Sequence, residues 1–449
     1  MKIAYAVHHL PPNYTGGAEY RALRTARWFQ SHGHAARLIC IESILRAEPA
    51  RADSEVNGLP IRRLSFDYRT FKDGCWRYDN PLVEQRIAEF LDEERPDIFH
   101  LFSGYLMTAA AIRAARAAGA PIVISLTDFW FLCPRITLLR SNNTLCPQPP
   151  DDPMGCVHCL AEESRRFRWP ANVAPPAVDA LWRALGAALP AVHERKRAMQ
   201  DRRRVLCEAL AEADALVCPS RFLHDLFRER GVAADKLMVM RQGLATPPPA
   251  LHRVRDPHRL TIGYGGQIRH HKGLDLLIRA AVELARQGYP FTLAIYGDES
   301  IDRRYTQSLK RLTGRVDWIE WRGIYAPEQI WDVLTGLDVI VVPSRWYENS
   351  PNIILEAQSI GVPVVATALG GMAELVQHDV SGLLFRLNDA RDLARQQARL
   401  FDEPGLLNRL SAGAPAVKSL DQEMAELLDV YRHVSARSAP PATRESERT

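Results

Sequence analysis

The feature that most limits how this chain can fold is a regular alternation between short apolar runs and longer segments with helical periodicity. In the first half, the apolar runs are KIAYAVHH, ARLICIE, IRRLSF, DIFHLF, PIVISLTD, ALVCPS and LMVMRQG. Alternation of this kind is typical of parallel sheets whose strands are connected by crossover helices. It predicts an α/β domain with a doubly wound, Rossmann-like parallel sheet.

The alternation stops once and then starts again. Residues 246–258, TPPPALHRVRDPH, contain four prolines and several charges, which is typical of a linker. Beyond them come LTIGYGG, FTLAIYG, VDWIEWRG, DVIVVPS and PVVAT, each apolar enough to be buried on both faces. We therefore predict two Rossmann-like domains, at residues 1–245 and 259–415. A helix at 416–434 is expected to pack back toward the first domain, and the polar tail 435–449 is expected to be disordered.

Composition and charge exclude several classes of protein. Hydrophobic residues make up 47% and charged residues 24% of the 449 positions, as in an ordinary globular protein. No apolar run reaches the roughly 18 residues of a membrane-spanning helix, and the first residues, MKIAYAVHH, are too short and strand-like for a signal peptide. A net charge of +4 is too small for nucleic-acid binding over the whole surface. We expect a cytoplasmic protein without a nucleic-acid partner.

The most informative segment is SRWYENSPNIILEAQSIGVPVVATALGG, residues 344–371, which directly follows the predicted strand DVIVVPS. We expect Ser350 to cap a helix with Pro351 as its first residue, which places Glu348 at the helix mouth and Glu356 inside the helix. Ligands of open α/β sheets bind at the carboxyl ends of strands, and a helix N-terminus there attracts phosphate. A sugar nucleotide suits this pattern, whereas either glutamate alone would be an ordinary surface carboxylate. The predicted donor-binding residues of this segment are Asn349, Ser350, Pro351, Asn352 and Glu356.

A second element, GYGGQIRHHKGLDLLIRA, follows the first strand of the same domain at residues 263–280. Gly265 and Gly266 have no Cβ and let the backbone pass close to a ligand. Lys272 supplies a cation just before the next helix and can neutralise charge on a departing diphosphate. Together with the carboxylate segment, these residues predict a diphosphate clamp.

These motifs resemble the retaining GT-B glycosyltransferases of family 4, also called group 1 transferases. Glu348 and Glu356, with seven residues between them, match the E-x7-E motif of that family, and Lys272 matches the lysine of its G-x-x-x-x-K-G loop. The resemblance implies two Rossmann-like domains that face each other across a cleft. It also implies that Glu348 contacts the donor sugar near the reacting carbon, Glu356 the ribose hydroxyls and Lys272 the diphosphate. The family usually has an arginine where this chain has Gln267, and Arg269 is the candidate replacement. Further residues that share the resemblance are Gly361, Pro363, Gly370, Gly371 and Glu374.

The first domain carries two further matches to the family. Gly16 and Gly17 stand where the family has a Gly-Gly turn that closes over the donor, although a plain strand-to-helix turn would look the same. After the strand PIVISLTD, many relatives have His-Asp where this chain has Thr127 and Asp128. The resemblance makes these two residues candidate sugar contacts. Thr127 can donate a hydrogen bond, but an imidazole role is lost.

Four of the eight cysteines cluster in a Pro- and Asn-rich loop at residues 133–159. A loop of this length without secondary structure needs something that holds it in place. Four thiolates around Zn²⁺ would do so, and an iron–sulfur cluster or unligated, redox-active thiols are the alternatives. The candidate ligands are Cys133, Cys146, Cys156 and Cys159.

A basic insertion follows at residues 160–210. The simple interpretation is a solvated helical hairpin. The functional alternative is a surface that binds anionic lipid at the inner face of the membrane and suits a lipid-linked acceptor. The residues concerned are Arg165, Arg166, Arg168, Arg195, Lys196, Arg197, Arg202, Arg203 and Arg204, with Phe167, Trp169 and Trp182 as aromatic contacts.

These patterns together predict a hexosyltransferase or related glycosyltransferase. It would move a sugar from a UDP- or GDP-type donor to the hydroxyl of a glycan or lipid-linked acceptor, and the resemblance implies retention of configuration. Bacterial polysaccharide or lipid-linked glycan biosynthesis is the expected setting. No catalytic cofactor is needed, because Lys272 and helix N-termini can neutralise the developing charge. A catalytically silent nucleotide-sugar-binding partner of a glycan assembly complex and a sugar-nucleotide epimerase are the alternatives.

Overall fold

The chain divides into two compact units. The computed structural model describes residues 1–14, 16–68, 75–164, 177, 178, 180–182, 184, 189–248, 251, 256, 258–314 and 316–438. The first unit comprises residues 1–218, 224–240 and the chain from Met424 onward. The second unit comprises Pro219–Leu223 and Arg241–Glu423.

The first unit is built on a sheet of eight strands in the order β3-β4-β2-β1-β5-β6-β7-β8, parallel except for the β3–β4 pair. The central strands bury every residue of their runs, as the continuous apolar sequences predict. The strands are Lys2–Val7 (β1), Ala35–Ser43 (β2), Leu45–Val56 (β3), Leu59–Asp67 (β4), Ile98–Phe102 (β5), Ile122–Ser125 (β6), Ala215–Cys218 (β7) and Leu237–Val239 (β8). The helices among the described residues are Gly17–Ser31 (α1), Pro81–Glu94 (α2), Thr108–Ala117 (α3), Met154–Ala161 (α4), Pro190–Glu212 (α5) and Arg221–Glu229 (α6), the last beginning within the Pro219–Leu223 stretch of the second unit.

Strand β3 is absent from the sequence prediction. Its residues are mostly charged or small and do not alternate in polarity, so no strand pattern is visible in them. They form a strand because β4 offers an open edge, and a charged edge strand resists pairing with other chains. Arg62 on β4 connects the two strands, because its Nε lies 2.9 Å from Oδ1 of Asp53 on β3.

The second unit contains a sheet of six parallel strands in the order β11-β10-β9-β12-β13-β14. From β9, the chain moves outward to β10 and β11 and then returns to add β12 on the other side, so the order reverses between β9 and β12. The carboxyl ends of these two neighbours are the position where open α/β sheets bind ligands. The strands are Leu260–Gly265 (β9), Phe291–Tyr296 (β10), Ile319–Gly323 (β11), Val339–Val342 (β12), Val364–Thr367 (β13) and Gly382–Phe385 (β14).

Helices and a buried apolar core support this second sheet. The core includes Ile262, Leu277, Val341 and Phe385, each at most 1% exposed. Strand β14 was not predicted, because it is only four residues long and lies in a segment without clear periodicity. The helices are Leu274–Arg286 (α7), Arg303–Thr313 (α8), Ile330–Thr335 (α9), Asn352–Ser359 (α10), Gly370–Leu375 (α11), Ala390–Asp402 (α12), Leu406–Ala412 (α13) and Leu420–Ser438 (α14), of which α14 belongs to the first unit from Met424 onward.

The division between the units falls after Met240, earlier than the predicted boundary at residue 245. Residues just beyond it pack within the second unit: the backbone N–H of Gly243 donates to Glu423 at 2.9 Å, and Leu244 forms a β-bridge with Ser419. A Cβ at Gly243 would lie 2.1 Å from the carbonyl oxygen of Ser419, so only glycine fits there. The described positions of the predicted linker 246–258 contain neither helix nor strand.

The last helix, α14, differs from its predicted bounds of 416–434. It begins at Leu420, directly after Ser419 forms its β-bridge with Leu244, and continues to Ser438 through alanine and arginine, which favour helices. Residues 439–449 of the predicted disordered tail lie outside the described residues. No helix in the described part of the chain has the length and apolar character that crossing a bilayer requires.

A buried polar contact attaches α14 to the sheet of the first unit. The hydroxyl of Tyr431 lies 2.5 Å from Nδ1 of His100 on β5, and Ser125 Oγ on β6 lies 2.9 Å from Nε2 of the same ring. Burial lowers the pKa of His100 well below its ordinary value. The ring is therefore neutral at physiological pH, with one nitrogen that donates and one that accepts.

Replacement of Tyr431 by Phe is expected to lower the free energy of unfolding by about 1–2 kcal/mol, because a buried imidazole nitrogen loses its partner. Urea denaturation followed by circular dichroism measures the change. Tyr20→Phe is the matched control, since Tyr20 is 51% exposed. Equal midpoints for the two variants would contradict a stabilising role for the contact.

Candidate functional site

The candidate site lies in the second unit, where two loops leave the carboxyl ends of β9 and β12. These strands are neighbours, with Ile340 opposite Gly263. The first loop carries Lys272 in a short 3₁₀ turn, and the second carries Glu348 ahead of α10. The strand order therefore brings together two motifs that are 76 residues apart in the sequence.

Lys272 and Glu348 form an ion pair, with Nζ 2.6 Å from Oε1. The same carboxylate oxygen accepts hydrogen bonds from the indole N–H of Trp346 at 2.7 Å and from the hydroxyl of Ser344 at 2.8 Å. The Lys272 ammonium also lies 4.9 Å from the centre of the Trp346 ring. Three donors thus hold one side of a nearly buried carboxylate in a single orientation.

The charges of these groups at neutral pH follow from their surroundings. Burial by itself would raise the pKa of Glu348, but the Lys272 ammonium and the hydrogen bonds outweigh it, so the pKa is lowered and the carboxylate is ionised. Burial, assisted by the Lys272 ammonium, lowers the pKa of His271 to about 4. His271 is therefore neutral beside the charged pair.

Arg345 fastens the two loops to each other. Its guanidinium lies 2.6 Å from Oδ2 of Asp275 and 2.7 Å from Nε2 of His270, and its backbone N–H donates to the His271 carbonyl at 2.8 Å. Gly273 adopts φ +72°, and a Cβ there would lie 1.9 Å from the carbonyl oxygen of Pro343. Close approach of the loops therefore requires glycine at this position.

The sequence patterns did not predict Ser344, Arg345 or Trp346 as site residues. All three lie in the segment 344–371 that it identified, directly after β12. Their position directly after a central strand was the one sequence signal that could have identified them. Their partners come from the loop after β9, which the sequence does not show to be nearby.

Two glycines support the Glu348 loop from behind. The backbone N–H of Gly371 donates to the carbonyl oxygen of Glu348 at 2.9 Å. A Cβ at Gly371 would lie 1.9 Å from the carbonyl oxygen of Asn349, and Gly370 adopts φ +51°. These contacts give a physical reason for the Gly370–Gly371 pair noted in the sequence.

The predicted cap of α10 is wrong by one residue. Ser350 was expected to cap the helix, but Pro351 is the N-cap and Asn352 is the first helical residue. The reason is the extended ψ of 118° at Pro351, which delays the first helical turn. Glu356 remains inside the helix, as predicted.

Glu356 and Gly265 both lie near Tyr325. A Cβ at Gly265 would lie 3.5 Å from the Tyr325 hydroxyl. Burial and the Glu356 carboxylate raise the pKa of Tyr325 to about 12, so the phenol keeps its proton. Gly266, Gln267 and Arg269 are exposed in the loop after β9. The structure thus places Lys272 and Glu348 in direct contact. That Glu356 binds the same ligand as this pair stays a prediction.

Glu374 has a structural role within the second unit. Its carboxylate accepts hydrogen bonds from the backbone N–H groups of Arg221, at 2.9 Å, and of Phe222, and it lies 2.5 Å from a guanidinium nitrogen of Arg241. These contacts fix the short segment Pro219–Leu223 to the second unit.

In the first unit, the predicted residues lie near the carboxyl ends of β1 and β6. Gly16 caps α1, where a Cβ would lie 2.5 Å from the carboxylate of Glu19, and Glu19 lies 3.2 Å from Nε2 of His8. A Cβ at Gly17 would meet nothing within 4 Å, so packing does not require glycine there.

Thr127 and Asp128 follow β6. Burial raises the pKa of Asp128, against hydrogen bonds from the Ser103 hydroxyl and the Trp130 backbone N–H. This buried carboxylate next to Thr127 is a polar group of the kind that can bind hydroxyls. The role of both residues as sugar contacts stays a prediction.

The cysteine-rich segment is not the structureless loop that was predicted. Helix α4, Met154–Ala161, carries Cys156 and Cys159, and Leu139 and Leu145 form an antiparallel bridge between Cys133 and Cys146. The prediction failed because four apolar side chains of α4 alternate with small and polar residues over only eight positions. The described residues contain no set of three His, Cys, Asp or Glu side chains already arranged around a metal position.

Part of the basic insertion faces inward rather than outward. Arg202 on α5 is 5% exposed and donates to the carbonyl oxygen of Trp130, and Arg203 donates to the carbonyl oxygen of Asp151 at 2.7 Å. Trp182, predicted in one interpretation to enter lipid headgroups, is instead buried and packs 5.4 Å from His158. These three side chains are occupied by contacts in and around the cysteine-rich segment, so they do not form a lipid-facing surface.

The exposed residues of the insertion leave the membrane hypothesis open. Arg195 and Arg197 are exposed on α5, and Lys196 lies 3.4 Å from Asp152. The predicted contacts Arg165, Arg166, Phe167, Arg168 and Trp169 lie outside the described residues. Membrane binding by the insertion stays a prediction.

Comparison with known families matches both halves of the chain. Residues 16–243 match the family described as glycosyl transferase 4-like domain. Residues 259–403 match the family described as glycosyl transferases group 1. The two matches cover the two units in the order that the sequence predicts.

Similar proteins include two bacterial transferases. The chain is 29% identical over 248 residues to a D-inositol 3-phosphate glycosyltransferase of Xylanimonas cellulosilytica, with 51% of this chain and 59% of the relative covered. It is 33% identical over 153 residues to a 2-deoxystreptamine glucosyltransferase of Streptomyces kanamyceticus, with 34% and 39% covered. The matched region thus spans less than two thirds of these relatives.

Solved structures resemble nearly the full chain at low sequence identity. HepE of Anabaena in complex with UDP and glucose has a TM-score of 0.64 at 16% identity, covering 96% of this chain and 99% of that one. Sucrose-phosphate synthase of Thermosynechococcus elongatus has a TM-score of 0.67 at 16% identity, covering 97% and 99%. These likenesses confirm the predicted GT-B fold with two Rossmann-like domains.

Replacement of Lys272 by Met is expected to make stability depend on pH. Without the ammonium, burial dominates and the pKa of Glu348 rises above its ordinary value, so the buried charge costs more as the pH increases. The loss of stability relative to the native protein should therefore grow from about pH 4 toward pH 7 and reach about 3 kcal/mol. Thermal unfolding across this pH range measures the effect.

Lys310→Met is the matched control for that experiment. Lys310 also pairs with a glutamate, Glu299, and also lies 4.9 Å from a tryptophan ring, that of Trp321, but its side chain is 46% exposed. Little change is expected, because exposed pairs contribute little. A Lys272→Met deficit that is constant with pH would show that Glu348 does not depend on this lysine.

Proposed function

Because the chain belongs to the glycosyltransferases of family 4, also called group 1, we propose that it is a retaining glycosyltransferase. It moves a hexosyl or related group from a nucleoside diphosphate sugar to an acceptor hydroxyl. The observation that carries this proposal is the Lys272–Glu348 pair at the point where the strand order of the second sheet reverses.

The surroundings of the pair suit the two halves of a sugar nucleotide. The Lys272 ammonium has three N–H groups, and the one directed at Glu348 leaves others that can bind phosphate oxygens. The first turn of α10, next to Glu348, adds backbone N–H groups and positive potential. Glu348 has a second carboxylate oxygen, Oε2, that can accept hydrogen bonds from sugar hydroxyls.

The reaction breaks the bond between the anomeric carbon and the diphosphate oxygen and forms a bond from that carbon to the acceptor oxygen. The proton of the acceptor hydroxyl passes to the leaving diphosphate. The entering acceptor oxygen and the leaving diphosphate oxygen lie on the same face of the sugar, which retains the configuration. Lys272 stabilises the charge that develops on the diphosphate, which is the largest electrostatic demand of the step. The protein then needs only to position the reactants, without a covalent intermediate.

A uridine diphosphate sugar is the first donor to test. Crystal structures of the similar protein HepE contain UDP, with and without glucose. The names of two bacterial relatives include inositol 3-phosphate and 2-deoxystreptamine. Small cyclic polyols are therefore candidate acceptors, in addition to glycans and lipid-linked glycans.

A silent nucleotide-sugar-binding partner is the second candidate. Two observations favour it: Gln267 replaces the arginine of the family loop, and Thr127 replaces the histidine of the acceptor domain. The experiments below separate the two functions, because a silent partner binds the donor without transferring its sugar.

UDP is expected to raise the thermal stability of the native chain, since a ligand that binds only the folded state stabilises it by mass action. At 100 times its dissociation constant, the gain is about 2.7 kcal/mol. A thermal-shift comparison of UDP, GDP and ADP names the base. If none of the three shifts the transition, the second unit is not a nucleotide site.

Replacement of Glu348 by Gln is expected to lower sugar transfer about 100- to 1000-fold, the usual effect of removing one group that stabilises the transition state. The substitution keeps the shape but removes the charge. Radiolabelled donor turnover measures transfer, and retained UDP-dependent thermal shift shows that the variant is folded.

Glu328→Gln provides the control, because Glu328 is an exposed glutamate of the same unit. It should transfer at the native rate. Native protein that binds UDP yet transfers no sugar from a full donor set would support the silent partner, and an unchanged rate in Glu348→Gln would remove Glu348 from the reaction.

A further inference from the structure

Four cysteines from separate stretches of the first unit line one cavity. Its volume is about 260 Å³, and its walls include a turn after β6, the chain around the Leu139–Leu145 bridge, and helix α4. On α4, the two cysteines are three positions apart, a spacing that places them on one face of a helix. The cavity-lining cysteines are Cys133, Cys146, Cys156 and Cys159.

A guanidinium group lies beside one of these sulfur atoms. Burial raises the pKa of the Cys133 and Cys159 thiols, and nearby backbone N–H groups oppose that rise only in part. The guanidinium of Arg203 on α5 lies 3.5 Å from the Cys156 sulfur. A neutral thiol accepts hydrogen bonds only weakly. The Arg203 contact therefore suits a thiolate better than a thiol.

Arg202 adds a buried positive charge beside the same sulfur atoms. Its side chain is 5% exposed, and its charge interacts with Cys133 and Cys156. One guanidinium nitrogen donates to the carbonyl oxygen of Trp130, while Nη1 is buried and has no hydrogen-bond partner among the described residues. Within the described part of the chain, no carboxylate is among the main charged groups that act on Arg202. A buried cation without a counter-charge is strongly unfavourable.

We propose that the four cysteines bind one Zn²⁺ as a tetrathiolate and that Arg202 and Arg203 balance its charge. On binding, each thiol releases one proton, and Zn²⁺ with four thiolates carries a net charge of −2. The two guanidinium groups compensate that charge. The metal site would then join the cysteine-rich segment to α5, and the orphan nitrogen of Arg202 would gain a thiolate acceptor.

The cavity lining brings the four cysteines to one place, although among the described residues their side chains are not already arranged around a metal position. Zinc–sulfur bonds are about 2.3 Å long, so the ligand side chains must rotate inward from the open arrangement. The acidic and imidazole groups of the wall are already paired: His158 lies 3.0 Å from Glu162, and Asp152 lies 3.4 Å from Lys196. The thiols are therefore the groups left to bind a metal.

The first test measures zinc in the native full-length chain, purified without chelator or added metal, by elemental mass spectrometry. One zinc per chain is expected. Cys159→Ser should lose it, whereas Cys207→Ser, which changes an exposed cysteine on α5 outside the cavity, should retain it. A chain that contains no zinc, and takes up none when zinc alone is added to the reduced protein, would overturn the proposal.

The second test concerns the positioning residue Arg202. Arg202→Met is expected to weaken zinc affinity about 10-fold or more, as substitutions around a metal site commonly do. Competition with a chromogenic chelator measures the affinity. Arg204→Met is the matched control, because Arg204 lies on the same helix but is 61% exposed and pairs with Glu208. Equal losses in both variants would contradict the charge-balancing role.

Cobalt substitution keeps the proposal testable if a cysteine variant fails to fold. Co²⁺ added to the zinc-free native chain should give the intense visible bands of tetrahedral thiolate ligation. Octahedral, weak bands would overturn the tetrathiolate. Iron with sulfide in the purified chain would identify a cluster instead, and disulfides within this group, detected by mass under non-reducing conditions, would likewise overturn the zinc site.

Discussion

A charged carboxylate that is nearly buried must be held by partners, and this requirement organises the candidate site. Glu348 has a lysine, an indole and a hydroxyl around one oxygen. Lys272 reaches it only because the loops after β9 and β12 approach closely, which needs glycine at 273, while Gly371 on α11 packs behind the Glu348 loop. The candidate site is therefore a consequence of strand order and of two positions where no Cβ fits.

The same requirement holds in the first unit. His100 is neutral and bracketed by Tyr431 and Ser125, so the last helix is attached by a satisfied polar contact. Arg202 is the exception among the buried charges described above, and it lies beside four thiols. An unsatisfied buried cation next to groups that become anionic on metal binding has a direct physical explanation in a zinc site.

Fold and function rest on different observations in this protein. Structures that share only 16% of the sequence still match nearly the whole chain, so the two-domain architecture tolerates extensive substitution. The family assignment comes from the sequence matches to both halves. The chemistry proposed above rests instead on a few fixed groups, because one fold can support many activities.

Local patterns in the sequence alone determined much of this protein. Twelve apolar runs became strands. The candidate site was identified by the spacing of Glu348 and Glu356 and by the position of Lys272. Strands β3 and β14, the cap at Pro351 and helix α4 were missed, because short or polar segments take their structure from neighbours rather than from their own periodicity. Only the tertiary structure decided that Trp346, Ser344 and Lys272 share one carboxylate oxygen and that Arg202 faces the cysteines. Such contacts join residues far apart in the chain, and their energies depend on burial and distance, which a sequence pattern does not contain.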